Sequence, residues 1–190
     1  MGNRRMGRQR LFSLEKKGKE SPNRPGPGIE DAVVYSKVSR DGALITSEIV
    51  VDLGTSKAAI QSAATDNDVI GVSGGGAAYL TRITEAVNGI VTDAEIICTE
   101  APTTGEPDID VVYVNNATKA FNDAHGGSEL VAAAADLVKG LNVVGAVNDD
   151  SVSGDYLYLA VGTGTSPTAG TYDAGKIVIR IYGYAVEDDI

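Results

Sequence analysis

From Asp155 to Val186 the chain alternates. DYLYLAVG sets Leu157, Leu159 and Val161 on one face and Tyr156, Tyr158 and Ala160 on the other. GKIVIRIYGYAV sets Ile177, Ile179 and Ile181 on one face and Val178, Arg180, Tyr182 and Tyr184 opposite them. Period two belongs to a strand, whose successive side chains point to opposite faces. β-Branched and aromatic residues suit that pleated surface. A Gly/Thr/Pro stretch separates the two runs, so together they predict a long antiparallel hairpin. Its Ile/Leu side is assigned to the core, and its Tyr/Arg side is left over.

The same pattern recurs upstream. AVVYSKV (32–38) and ALITSEIVVDL (43–53) read as strands joined at Arg40-Asp41-Gly42, and an Asp-Gly between apolar runs signals a tight hairpin. SKAAIQSAA (56–64) reads as a helical turn or two, and Val69–Val72 as a short strand. YLTRITEAV (79–87) and IVTDAEIICTE (90–100) flank Asn88-Gly89, a second hairpin signal. DIDVVYVN (108–115) is a further strand, and Leu141–Val147 another. Residues 116–142 are the most helical part: Ser128 suits an N-cap, Lys139 the last turn and Gly140 a left-handed close. Leu130, Ala134, Leu137, Val138 and Leu141 would share one stripe of that helix. Roughly eight strands at 8–15-residue spacing, with Gly/Asn/Asp turns, predict a mainly β fold. The expected form is an antiparallel sandwich, jelly-roll-like, with one or two short helices and an extended N-terminal arm.

Charge divides the chain more sharply than hydropathy. Residues 1–28 carry eight Lys/Arg against Glu15 and Glu20, net +6, whereas residues 29–190 carry eight basic and 24 acidic groups, net −16. We therefore expect a basic arm and Pro/Gly linker over 1–28 and one β-sandwich domain over 29–190. Within the arm, Leu11, Phe12 and Leu14 make an apolar cluster that a purely solvated tail would not need. The linker ESPNRPGPG gives reach, since its prolines cannot continue a helix. An acidic body does not attract nucleic acid. There is no apolar run of about 18 residues to cross a membrane, and the basic start lacks the apolar core of a secretory signal.

Candidate chemistry is sparse. His125 is the one histidine and Cys98 the one cysteine, so neither a multi-histidine metal site nor a disulfide framework can be built. Cys98, behind Ile96 and Ile97, reads as a buried thiol. Ser73–Gly76 and Gly162–Gly170 lack the Gly-Lys-Ser/Thr ending of a phosphate loop. Asp66/Asp68, Asp108/Asp110 and Asp149/Asp150 lack the spacing of a calcium loop and read as turn or surface charge. No catalytic, cofactor-binding or metal residue is assigned, and no enzymatic activity is expected. The constellation that stands out is Tyr156, Tyr158, Arg180, Tyr182 and Tyr184. Tyrosine and arginine are enriched where interfaces bind most strongly, so these five are the expected subunit interface.

The Met-Gly-Asn-Arg-Arg arm, the Pro/Gly linker, the acidic Gly/Ala/Thr-rich β body and the terminal TAGTYDAGKIVIRIYGY run together resemble small structural proteins of marine tailed phages. The closest fit is the head decoration, or cement, class. That resemblance implies a homo-oligomer, a trimer favoured, seated on the outer surface of the virion capsid and bound to the major capsid protein. Arg4, Arg5, Arg8 and Arg10 would pair with acidic groups there, and Leu11, Phe12 and Leu14 would anchor the arm. No cofactor is implied. Two alternatives share the virion setting: a jelly-roll shell protein whose arm turns inward to nucleic acid, and a head–tail or tail structural protein.

Overall fold

The computed structural model describes residues 24–55, 57–131, 136–147, 152–164 and 167–185. The arm residues Arg4, Arg5, Arg8, Arg10, Leu11, Phe12 and Leu14 lie outside them, as do Asp149 and Asp150.

Two antiparallel sheets carry most of the chain. The larger contains β1 (Val33–Asp41), β2 (Leu44–Asp52), β6 (Ile90–Thr103), β9 (Asn142–Ala146) and β12 (Ala174–Tyr184), in the order β1-β2-β12-β6-β9. The second contains β5 (Thr81–Arg82), β7 (Ile109–Val114), β8 (Ser128–Glu129) and β10 (Tyr156–Val161), in the order β5-β10-β7-β8. A small third sheet, β11-β3-β4, joins β3 (Ile60–Ser62), β4 (Gly71–Val72) and β11 (Gly170–Thr171). The expected antiparallel sandwich is what forms; the pairing does not identify a jelly roll.

The inner face of the large sheet follows from the alternation. Ile45, Ser47, Ile49 and Val51 of β2 are buried with Ile177, Ile179 and Ile181 of β12 and Ala94, Ile96 and Cys98 of β6. Of these, Ile49, Val51, Ala94, Ile96, Cys98, Ile177, Ile179 and Ile181 pack in one core with Ile109, Val111, Leu157, Leu159 and Val161 of the second sheet. Fully burying an aliphatic side chain of this size is worth about 1.5–3 kcal/mol, so this shared core is what holds the sheets together. The β1–β2 hairpin forms where Asp-Gly predicted it, with Gly42 and Ala43 as its loop.

Five expectations are corrected. The runs 156–161 and 174–184 are not a hairpin. β10 pairs with β5 and β7, β12 pairs with β2 and β6, and the chain between them changes sheets. Asn88-Gly89 is not a hairpin turn. Glu85–Asn88 forms a single helical turn, α1, and only Thr81–Arg82 of the preceding run pairs, with β10. Asn88 explains the change. Its Oδ1 accepts from Thr84 N at 2.9 Å and its Nδ2 donates to the buried Ser47 Oγ at 2.8 Å, so the turn is stitched under β2. Gly89 closes the turn at φ 69, and a Cβ there would stand 2.3 Å from the Tyr184 carbonyl oxygen.

The remaining corrections concern helices and the linker. Within the run 56–64, Ile60–Ser62 form strand β3, and the described residues 57–64 hold no helical turn. The helix expected over 128–139 is absent among the described residues: Ser128 and Glu129 pair with β7 as β8, and 136–138 form no regular element. Propensity favoured the helix, but Leu130 is tied by its N–H to the Val111 carbonyl and Leu137 by its N–H to that of Pro107. Finally, the second half of the linker is not free. Gly26 and Gly28 donate to Tyr79 and Ala77 carbonyls at 2.7 and 2.8 Å, and Val72 donates back to Gly28 at 2.8 Å. Added Cβ atoms at Gly26 and Gly28 would meet backbone oxygens at 2.3 and 2.4 Å, so glycine is what allows the close approach.

Candidate functional site: the outer face of the large sheet

Register defines the outer face in rows. The central row runs Lys37, Glu48, Arg180, Glu95, Val144 across the five strands. Residues directly opposite on neighbouring strands share a face and touch, and here opposite charges meet. Arg180 donates from Nε to Glu48 at 2.8 Å and from Nη1 to Glu95 at 3.1 Å. Glu95 also accepts from the Tyr182 hydroxyl and from Asn142 Nδ2, each at 2.9 Å. Burial pushes the Glu95 carboxyl up, but the hydrogen bonds from Tyr182, Asn142 and Arg180 outweigh it and hold the group below its ordinary value. The bonds to Glu48 and then Glu95 raise the Arg180 guanidinium further above an already high value. The result is a fixed, fully charged cluster on the centre of the sheet.

Apolar rows flank it. On one side Tyr35, Val50, Val178 and Ile97 are register neighbours. On the other, beyond Tyr182, lie Leu44, Tyr184 and Ile90, and each of these three is at least 38% exposed. Val144, at the β9 end of the central row, is 62% exposed. Lys176 closes one end of the face, 2.9 Å from Glu100 and 3.5 Å from Asp52. Such a surface, with apolar rows around a rigid arginine, can bury area against another protein without leaving a charge unpaired.

The five tyrosine and arginine residues expected at one interface are divided by the fold. Arg180, Tyr182 and Tyr184 share this face. Tyr158 does not reach a surface: it is fully buried, its hydroxyl donates to the Asn116 carbonyl, and burial pushes its pKa up. Tyr156 is half-buried on the second sheet, edge-on to Tyr79 at 5.0 Å and under Arg82 at 5.4 Å. The sequence reading missed Tyr35, Leu44, Ile90 and Ile97. Their signal was parity: Leu44 stands four residues from Glu48, Ile97 two from Glu95 and Tyr35 two from Lys37, while Ile90, five from Glu95, reaches this face through the register shift between Tyr182 and Gly183.

The other candidates are structural. His125 Nδ1 accepts from Gly127 N at 2.9 Å, which leaves the proton on Nε2 to donate to Asn67 Oδ1 at 3.2 Å. Burial lowers its pKa, so the ring is a neutral clasp. Cys98 is buried, with its thiol pKa raised by that burial and its Sγ 3.3 Å from the Glu100 carbonyl. Of the turn and surface readings of Asp108 and Asp110, the surface one fails, since both are buried. Asp108 accepts from Gly164 N at 3.0 Å and so holds the 162–164 loop. Asp110, opposite Ala160, is pushed up to about 7 by burial, then by Glu129 and Asp108. No group of three or more His, Cys, Asp or Glu side chains converges as a metal site among the described residues. No helix of the described residues is long and apolar enough to cross a membrane. Neither a scan against protein-family models nor searches of curated proteins and solved structures return a match for this chain.

Proposed function

We propose that the chain is a non-enzymatic structural subunit of a phage virion, a decoration protein seated on the outer surface of the capsid. The observation that carries this reading is the outer face of the large sheet, where one half-buried and one exposed apolar row flank the Glu48–Arg180–Glu95–Tyr182 cluster. That face suits the contact between subunits of a homo-oligomer. The basic arm, net +6 over residues 1–28, then reaches from the oligomer to acidic groups of the major capsid protein. Several arms on one oligomer bind as a unit, so a modest affinity for each suffices to hold it on a lattice. The clamped glycines Gly26 and Gly28 fit this use, since they fix the point from which each arm departs.

An arm that turned inward would have to bind packaged nucleic acid, beside a body of net −16. Titrating the full chain against single-stranded DNA at two salt concentrations separates the two. The decoration reading expects weak binding at physiological salt. Tight binding that falls steeply with salt, as counterion release demands, would favour the inward arm and defeat the reading. Imaging of the virion at side-chain resolution would then place the chain directly.

A further inference from the structure

β1 is the outermost strand of the large sheet, nine residues long and exposed over most of its length. Its outward main-chain groups can be named from the bonds of β2. Asp52 N donates to Ala32 O on the β1 side and Leu53 N to Gly175 O on the β12 side, both at 2.8 Å. Alternate residues of a strand bond to alternate edges. The even-numbered residues of β2 therefore bond β1, and their partners there are Tyr35, Lys37, Ser39 and Asp41. The N–H and C=O groups of Ser36, Val38 and Arg40 point away from the sheet. Among the described residues no strand lies beyond them.

Charge stands beside these open groups. Lys37, Ser39 and Asp41 follow one another on the outer face. Glu48, the register neighbour of Lys37, is already held by Arg180 at 2.8 Å. Among the described residues neither Lys37 nor Asp41 belongs to an ion pair.

We propose that β1 pairs antiparallel with β1 of a second copy, about a two-fold axis at Ser39. In that register Val38 of each copy faces Arg40 of the other and exchanges the main-chain bonds that are open in one copy alone. Lys37 faces Asp41 twice, so both unpaired charges are matched. Other registers with the same bonding parity do worse. Centring on Val38 sets Lys37 against Ser39 and leaves it unmatched, and centring on Lys37 sets lysine against lysine. A lysine on an edge strand discourages open-ended pairing; here it selects one closed pairing. The two outer faces become one continuous surface. This inference does not rest on the capsid reading: a chain that pairs through β1 but binds no capsid keeps the one and loses the other.

Sedimentation of the full chain tests it, with association expected to depend on concentration. Lys37→Asp and Asp41→Lys should each weaken association about tenfold, since each puts like charges opposite one another at two places. The double exchange should restore it. Val38→Pro, which removes an N–H that β2 does not use, should give a folded monomer. Non-hydrogen-bonded antiparallel pairs bring Cα atoms to about 4.5 Å, within reach of a disulfide. Ser39→Cys should therefore form a covalent dimer on mild oxidation, while Val38→Cys should not; Cys98 is buried and should not compete. A wild-type monomer at every concentration, equal association in the single and double charge variants, or cross-linking by Val38→Cys in place of Ser39→Cys would overturn the proposal.

Discussion

β10 and β12 carry the same written pattern, aliphatic residues alternating with tyrosine, and meet different fates. β12 keeps a dry side and a wet side: Ile177, Ile179 and Ile181 are buried, while Val178, Arg180 and Tyr182 are half-buried and Tyr184 is exposed. β10 has no wet side. Leu157 through Val161 are all buried, because the segments that carry Tyr79 and Asn116 lie over its tyrosine side and Val69 bridges Ala160 at its edge. Alternation shows that a strand has two faces. Whether the second face sees water depends on which loops fold back over it.

Substitutions can break or sharpen this contrast. The largest effect is expected at Tyr158. Tyr158→Ala removes an enclosed ring and should cost about 3–5 kcal/mol of unfolding free energy, whereas Tyr182→Ala on the wet side should cost about 1 kcal/mol or less. Chemical denaturation of the two variants measures the difference, and equal losses would mean that β10 is not enclosed.

Asp110 probes the same covered side with charge. Its carboxyl titrates near 7 in the fold, against 3.8 for the free group. Between those values the folded protein holds a proton that the unfolded chain has released, so stability falls as pH rises. The contribution of this group is full below about pH 4 and lost as pH passes through 7, with an upper limit of ~4 kcal/mol. Asp110→Asn should therefore stabilise the protein at pH 8 and change little at pH 4, read from melting curves at both. An effect as small as that of Tyr182→Ala is expected at Arg180, which is 36% exposed. Arg180→Leu should cost about 1 kcal/mol, and less at high salt, as for other exposed ion pairs.

The sequence showed the alternation and hence the strands, the β1–β2 turn, the buried Cys98 and the dry face of β12. It misplaced whatever depended on distant partners. Tyr158 reads like Tyr182 in sequence, and distant partners distinguish them: Asn116, 42 residues away, and Tyr79. The turn signal at Asn88 was real chemistry spent on a different bond, the one to Ser47. The helix expected at 128–139 had good local caps, but among the described residues Ser128–Leu130 and Leu137 instead make main-chain bonds with β7 and Pro107. Of the outer face, Arg180, Tyr182 and Tyr184 were legible from one strand; Tyr35, Leu44, Ile90 and Ile97 required the register of three others.

The claim that this β body is carried to its target by a basic arm has one direct test. Full-length chain and residues 20–190 are each mixed with capsids stripped of the protein and sedimented at low and at high salt. The account predicts that the full chain pellets with capsids at low salt and is released at high salt, and that the truncated chain stays in solution at both. Equal binding of the two chains would contradict it.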